Sequence, residues 1–474
     1  MSERTLKPIR KGTVKNSGLV LFAFATAFFP RLFTSFGAPS VINFAHFGAI
    51  PFTFGVALMT TRIRNRRQIS IFWEMLGGLS ILLIVTVISA LLNGAGLVNI
   101  FLQFMFQAEP FLILLCVMLL PLVGEKLKKF RIWLLGFAGF NLFLAIAQSI
   151  LMPIGIYPKP QGGTLQDNIT GVFGGGGGSA ANYVSCTVSI YFAIYFYNTF
   201  KSIPQWIRVS VILGALYQIQ ASDSKQVFLG LFLGWMLLAL SKFDKPLMLL
   251  LYLSGIVFVL ALFAWAVQNV EAEFLAPYQN WVYRDIWGID GEAAQTKLAA
   301  FRIVPTYYEN ALNWLFGLGP GHTVTRLGGW VLRDYQSLLR PLGATVHPAS
   351  SDIFLVVKEG FLAKESTIFF PLFTWAGIWG DLGVVGLFSY LYVCSIVWRK
   401  VCVDDFCKFL LLSTAALGFI ITQMEEPGQV LTVAVLIALR WQEAKEKTEL
   451  RKLYASKPHR QHTLNHKLID SRSS

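Results

Sequence analysis

Long runs without charge constrain this chain more than any other feature. Residues 16–61 hold one charged side chain, Arg31, and residues 168–200 hold none. A helix crosses the ~30 Å hydrocarbon core of a bilayer in roughly 20 residues, and runs of that length recur along the chain. Of all residues, 55% are hydrophobic and 14% charged, whereas soluble domains carry about 25% charge. The expected fold class is therefore all-α, a polytopic membrane bundle. An outer-membrane barrel is excluded, because its strands alternate polar and apolar residues. Twelve spans are read near 17–36, 41–60, 72–92, 100–123, 131–152, 180–199, 204–221, 226–241, 246–267, 372–397, 409–423 and 427–440.

Charge placement orients these spans, since Lys and Arg collect on the cytoplasmic side. The amino terminus is basic (Arg4, Lys7, Arg10, Lys11, Lys15), and so are the loops after the even-numbered spans. Those loops hold Arg62, Arg64, Arg66 and Arg67, then Lys126, Lys128, Lys129 and Arg131, then Lys201, Lys242 and Lys245, and last Arg399, Lys400 and Lys408. The intervening loops 37–40 and 93–99 carry neither Lys nor Arg. The expected layout is a cytoplasmic terminus 1–16, one transmembrane domain 17–440, and a basic cytoplasmic tail 441–474. The large polar loop 268–366, between spans nine and ten, then lies outside. The first span lacks a small-x-small cleavage site after its apolar run and is expected to be retained rather than removed as a signal peptide. The net charge of +14 reads as topology and attraction to anionic membrane lipid, with no nucleic-acid partner. None of the five cysteines lies in the large loop, so no disulfide framework is expected.

A membrane protein that keeps one large polar loop on one face is expected to do its chemistry there. Within the loop, 292–315 reads as a helix with Phe301, Tyr308, Leu312 and Leu315 on one side, kinked at Pro305 and ended by Gly317, Gly319 and Gly321. Arg302 on that helix can hold a diphosphate bidentately, or simply snorkel to headgroups. Lys225, in Ser222-Asp223-Ser224-Lys225, places a second cation at the mouth of the bundle or is an ordinary interfacial lysine. Three loop groups are candidate general bases: His347, Asp352 and Glu359. Charges inside spans are costly and functional by default; here they are Arg31, Glu109 and Asp381, and an Arg31–Glu109 pair is one possibility. The Gly174–Gly178 run can approach phosphate or serve as a hinge. Loop aromatics (Trp281, Tyr283, Trp287, Tyr307, Trp314, Trp330, Tyr335) can stack on sugars or form an interfacial layer. Without a Walker A sequence, HExxH, or Asp-x-Asp in the outer loops, ATP hydrolysis, zinc proteolysis and metal-dependent use of nucleotide sugars are disfavoured. No metal or cofactor is expected.

Four stretches, in order, resemble the O-antigen ligase and polymerase-like superfamily of bacterial membrane proteins. They are Thr170-Gly171-Val172-Phe173 through Asn182, Ser222-Asp223-Ser224-Lys225, Arg302 followed by Phe316-Gly317-Leu318-Gly319-Pro320-Gly321, and Gly380-Asp381-Leu382-Gly383-Val384-Val385-Gly386. The resemblance covers about residues 165–440. It departs from the family at Lys225, where the motif has Arg, and at Glu365–Phe370, where ligases have His-Asn. The resemblance implies a bacterial inner-membrane glycosyltransferase. Its donor would be an undecaprenyl-diphosphate-linked glycan and its acceptor a glycan or lipid on the periplasmic face. Arg302, Lys225 and Arg31 would bind the diphosphate, and a polymerase-type role is favoured over a strict ligase. The alternatives are a lipid-linked glycan flippase or polysaccharide transporter, and a structural assembly protein.

Overall fold

The computed structural model describes residues 15–61, 65–157, 164–174, 181–242, 246–271, 275, 279, 286, 288 and 290–455. The basic amino terminus, Gly175–Gly178, the aromatics Trp281, Tyr283 and Trp287, and the tail beyond 455 lie outside the described residues. Among the described residues all regular structure is helical. The long helices are α1 (Asn16–Phe28), α2 (Ala45–Thr60), α3 (Arg66–Asn93), α4 (Leu97–Leu119), α5 (Glu125–Leu151), α6 (Ala181–Thr199), α7 (Gln205–Ala221), α8 (Lys225–Leu240), α9 (Pro246–Asn269), α10 (Thr374–Ile396), α11 (Asp405–Leu417) and α12 (Pro427–Ala455).

Each expected interval contains a helix, and among the described residues five segments are long and apolar enough to cross a membrane. These are Ser40–Thr60, Arg66–Asn93, Leu97–Leu119, Glu125–Leu151 and Thr367–Val401. Asn16–Phe28, Lys225–Leu240 and Leu253–Asn269 are shorter apolar helices. The first expected span breaks at Pro30, which cannot continue the α1 hydrogen-bond ladder and starts a separate turn, Pro30–Ser35.

α4, α6 and α12 form the centre. All of 181–193 and 421–439 is buried, as expected of helices that are apolar on every side. α4 packs on α12, α3 on α10, and α8 on α11. The outer helices carry exposed apolar side chains, among them Trp73, Ile84 and Leu91 on α3 and Leu250, Phe258 and Trp265 on α9. So much exposed apolar surface suits lipid rather than water. Helix ends inside the bundle still need partners. The last carbonyls of α4 find one in Gln442, whose Nε2 donates to Val117 at 2.7 Å and Leu120 at 2.9 Å.

The polar segment before α10 sits on the end of the bundle where α3 stops and α4 starts. The expected single helix over 292–315 is instead four pieces: Glu292–Lys297, Ala299–Ile303, the 3-10 turn Val304–Tyr307 and Ala311–Phe316. Pro305 ends the first part. Asn310 then nucleates a new helix by capping, its side chain accepting from Leu312 N at 2.9 Å while Asn313 Oδ1 accepts from Asn310 N at 3.2 Å. The stop at Gly317 is where the sequence placed it.

Candidate functional site

Two of the sequence motifs meet in one latch. Asp381 of α10 is fully buried, and its carboxylate accepts four hydrogen bonds. The donors are Gly321 N, Thr323 N, Thr323 Oγ1 and Thr325 Oγ1, each at 2.7 Å. Leu318 N and Gly319 N add backbone bonds to Gly380 O at 2.9 Å and Asp381 O at 3.0 Å. Gly317 lies at φ 72, where a Cβ would stand 2.4 Å from the Asp381 carbonyl carbon; only glycine fits both the dihedral and the space. Gly317, Gly319, Gly321 and Asp381 thus fix segment 317–325 onto α10.

The same segment is pinned to α3 and α4. Asn93 Nδ2 donates to Gly317 O at 3.1 Å. Buried Asn99 donates to Pro320 O and Thr345 O, both at 2.9 Å, and accepts from Thr345 N at 2.9 Å. His322 bridges Leu318 O and Thr345 Oγ1, both at 2.8 Å, and its burial pushes the imidazole down to about 4. His322 is therefore a neutral structural ring. His347 lies beside it, ring centroids 5.4 Å apart, and also falls below the usual imidazole range through burial.

His347, Asp352 and Glu359 belong to one element, the helix Pro348–Glu359 and its cap. His347 Nδ1 accepts from Ala349 N at 3.2 Å. That tautomer puts the proton on Nε2, so a neutral His347 has no free lone pair. Asp352 is exposed and accepts from the Tyr307 hydroxyl; Glu359 is exposed on the last turn. Arg302 is exposed on Ala299–Ile303 and donates to Gln295 O. Lys225 starts α8 and pairs with Asp223 at 2.7 Å. Asp223 is at φ 51, a conformation aspartate tolerates better than most residues. Beneath that turn, Asn182 Nδ2 donates to Ser222 O at 3.1 Å and the Ser222 and Ser224 hydroxyls lie 2.9 Å apart, so these two motifs are also in contact.

Arg31 has a different setting. Its Nη2 is 2.6 Å from Glu426 Oε1, and Arg326 Nη1 contacts the other Glu426 oxygen. Glu425 Oε2 accepts from Arg326 N at 2.6 Å, and Gln103 Nε2 reaches Glu425 Oε1 at 3.4 Å. The two glutamates precede α12, whose amino terminus favours negative charge. Burial pushes Glu425 up to about 8, so at neutral pH it is mostly protonated. The Arg31 and Arg326 guanidiniums share the Glu426 carboxylate. Arg31 Nη1 and Arg326 Nε are buried with no hydrogen-bond partner, as are amide atoms of Gln103, Gln107, Gln423 and Gln429. Buried donors normally have partners, and among the described residues these atoms have none, which makes them candidates for contact with a polar ligand.

Glu109 does not pair with Arg31. Its carboxylate holds His46 Nδ1 at 2.8 and 2.9 Å, with both residues buried. This pair adjoins the Arg cluster through aromatic rings. The Arg326 guanidinium lies 5.8 Å from the Phe106 ring centroid, and Phe106 meets Phe47 edge-on at 5.0 Å. Arg326, Glu425, Glu426 and His46 were not singled out in the sequence. The usable signals were a histidine inside an expected span and two acids at the mouth of the last one.

An apolar cavity of about 270 Å³ lies between α4, α10, α11 and α12, and none of the cluster's side chains lines it. Pro110 and Met424 line it, each next in sequence to a residue of the cluster or of the His46 pair, and it continues past Phe111, Tyr390, Leu391 and Ile437. Comparison with protein-family models, with curated proteins and with solved structures finds no match to this chain.

Proposed function

We propose that this protein is an integral membrane glycosyltransferase of surface-polysaccharide assembly, of the O-antigen or exopolysaccharide polymerase or ligase type. It would move a glycan from undecaprenyl diphosphate to an acceptor sugar on the periplasmic face of a bacterial inner membrane. In this reading all twelve long helices cross the bilayer, both termini are cytoplasmic, and the polar segment before α10 is outside. The observation that carries it is the buried Arg31–Arg326 pair, with N–H donors that have no partner among the described residues, in a bundle that also holds an apolar cavity reached through Met424, next in sequence to Glu425. A polyprenyl diphosphate needs both environments: fixed cations for the phosphates and an apolar slot for the chain. The latch through Asp381 and the Asn182–Ser222 contact, both within stretches that resemble the superfamily, support the same reading.

The chemistry follows from charge. The acceptor oxygen attacks the anomeric carbon, the bond from that carbon to the diphosphate oxygen breaks, and undecaprenyl diphosphate leaves with the electron pair. Negative charge grows on the leaving group, and preorganised guanidiniums stabilise it more than they stabilise the ground state. Of the three cations that the sequence assigned to the diphosphate, Arg302, Lys225 and Arg31, this reading centres on Arg31 and adds Arg326; Arg302 is exposed and Lys225 pairs with Asp223.

The buried His46–Glu109 pair favours a second reading, a proton-coupled flippase of lipid-linked glycan, because ionisable pairs at membrane depth serve proton relays. Transfer by the purified protein in vesicles, supplied with lipid-linked glycan from the source strain, separates the two. Wild type should form the glycosidic product, and Arg326→Ala should lose about 10²–10³-fold in rate. Movement of the lipid without bond formation supports the flippase, and an Arg326→Ala enzyme at full rate rules out the clamp. In a strain lacking the protein, loss of long chains with single units still attached identifies a polymerase; loss of all attached glycan identifies a ligase.

A further inference from the structure

We propose that His46, oriented by Glu109, is the general base that accepts the proton of the acceptor hydroxyl. The inference rests on the glycosyl-transfer reading above. It starts from a tautomer argument. A ring nitrogen 2.8 Å from a carboxylate oxygen carries its proton toward that oxygen, so Nδ1 of His46 is the N–H. The lone pair then sits on Nε2. A carboxylate on Nδ1 also stabilises the imidazolium that forms when Nε2 takes a proton.

The other candidates in reach are worse placed. Both oxygens of Glu425 accept hydrogen bonds, from Arg326 N and Gln103 Nε2. The Nδ1 lone pair of His347 caps the helix Pro348–Glu359, which leaves Nε2 as a donor. Asp352 accepts from Tyr307 on an exposed face. His46 lies at the start of α2, and its neighbour Phe47 packs with Phe106 and Leu327 under the segment that carries Arg326. One layer of aromatic rings therefore connects the base to the diphosphate clamp.

A second observation points to a hydroxylated ligand here. Gln107, two residues before Glu109 and on another face of α4, is 1% exposed and has both amide atoms unpaired among the described residues. Gln103, one turn earlier, leaves its Oε1 unpaired. Amides that can both donate and accept suit the hydroxyls of a neutral sugar. In the step itself the acceptor O–H proton passes to His46 Nε2 as the oxygen bonds the anomeric carbon. The carbon–oxygen bond to the diphosphate breaks, and the leaving group keeps those electrons between Arg31 and Arg326. Imidazolium later returns the proton to water. Glu109 is a positioning residue; it acts through His46.

The test uses the full chain reconstituted in vesicles and reads two quantities, the rate of transfer and the affinity for undecaprenyl diphosphate. His46→Asn keeps an amide N–H near the Nδ1 position for Glu109 and removes the base. Its kcat should fall about 10²–10⁴-fold, while its affinity for undecaprenyl diphosphate stays within twofold of wild type. His46→Gln, a second variant in case the first fails to insert, should behave the same way. Glu109→Gln should lower kcat about tenfold or more at unchanged KM, the mark of a lost orienting contact rather than a lost fold. Transfer by both His46 variants at the wild-type rate overturns the base and leaves the transferase reading intact. Loss of lipid-diphosphate binding in parallel with transfer overturns it too, in favour of a structural pair. A wild-type protein that neither binds undecaprenyl diphosphate nor forms product overturns the transferase reading along with it.

Discussion

Asp381 shows how one residue can hold a site without touching a substrate. Its carboxylate takes four donors from three neighbouring residues. Asparagine would offer one acceptor oxygen and turn an NH₂ toward donors. Asp381→Asn should therefore cost about 1–3 kcal/mol, the penalty for leaving a buried donor without its acceptor. Thermal unfolding in detergent measures this, and a loss below about 1 kcal/mol would contradict the latch. Lys297 provides a pH test. Its amine donates to Phe370 O at 2.9 Å and Ile420 O at 2.8 Å, tying the polar segment to the ends of α10 and α11. Burial lowers it from 10.5 to about 7. Between those values the unfolded chain holds more protons than the folded one, so stability should rise as pH goes from about 7 to 10.5 and stay flat below 7. Lys297→Met should remove that rise, and an unchanged slope would show that the amine is not the titrating group. At this scale the sequence was half legible. Arg31 and Glu109 stood out as charges inside apolar runs. Their partners did not, because Glu426 lies at the far end of the chain and His46 carries no formal charge.

At the scale of elements, glycine and proline made most boundaries readable. The stop at Gly317 and the restart of helix at Pro427 are local chemistry; the break at Pro30 is too, although the span read over 17–36 ran through it. The stretch 292–315 reads as one helix in the sequence because its apolar side chains keep helical spacing across three junctions, at Leu298, at Val304 and at 308–310. Pro305 and the Asn310 cap override that spacing. α10 carries a further interruption, Gly383 at φ 68, where a Cβ would lie 2.3 Å from the Leu315 carbonyl carbon. The helix bends there to admit the end of Ala311–Phe316. The cavity between α4, α10, α11 and α12 was not legible, since it is made of ordinary apolar residues from four distant segments. Leu391 lines it and is 39% exposed, so a larger side chain can enter without crowding the core. Leu391→Trp should weaken undecaprenyl diphosphate binding about tenfold with the fold unchanged. Equal affinity, read by titration of the purified protein, would move the polyprenyl chain elsewhere.

For the whole molecule, the proposed topology places Lys358 outside and Lys447 inside. With the native cysteines replaced, Cys substituted for Lys358 should react with an impermeant maleimide on intact cells after the outer membrane is made leaky. Cys substituted for Lys447 should react only after the inner membrane is opened; the reverse pattern would invert the protein and end the periplasmic reading. The central claim is that Arg31 and Arg326 grip a lipid diphosphate. Its most direct test is the affinity of the reconstituted protein for undecaprenyl diphosphate, compared with undecaprenol, in wild type and in the Arg31→Gln, Arg326→Gln double variant. Wild type should prefer the diphosphate strongly, and the double variant should lose about 100-fold or more, roughly 2.7 kcal/mol, while keeping its affinity for undecaprenol. A double variant that binds the diphosphate as tightly as wild type would contradict the account.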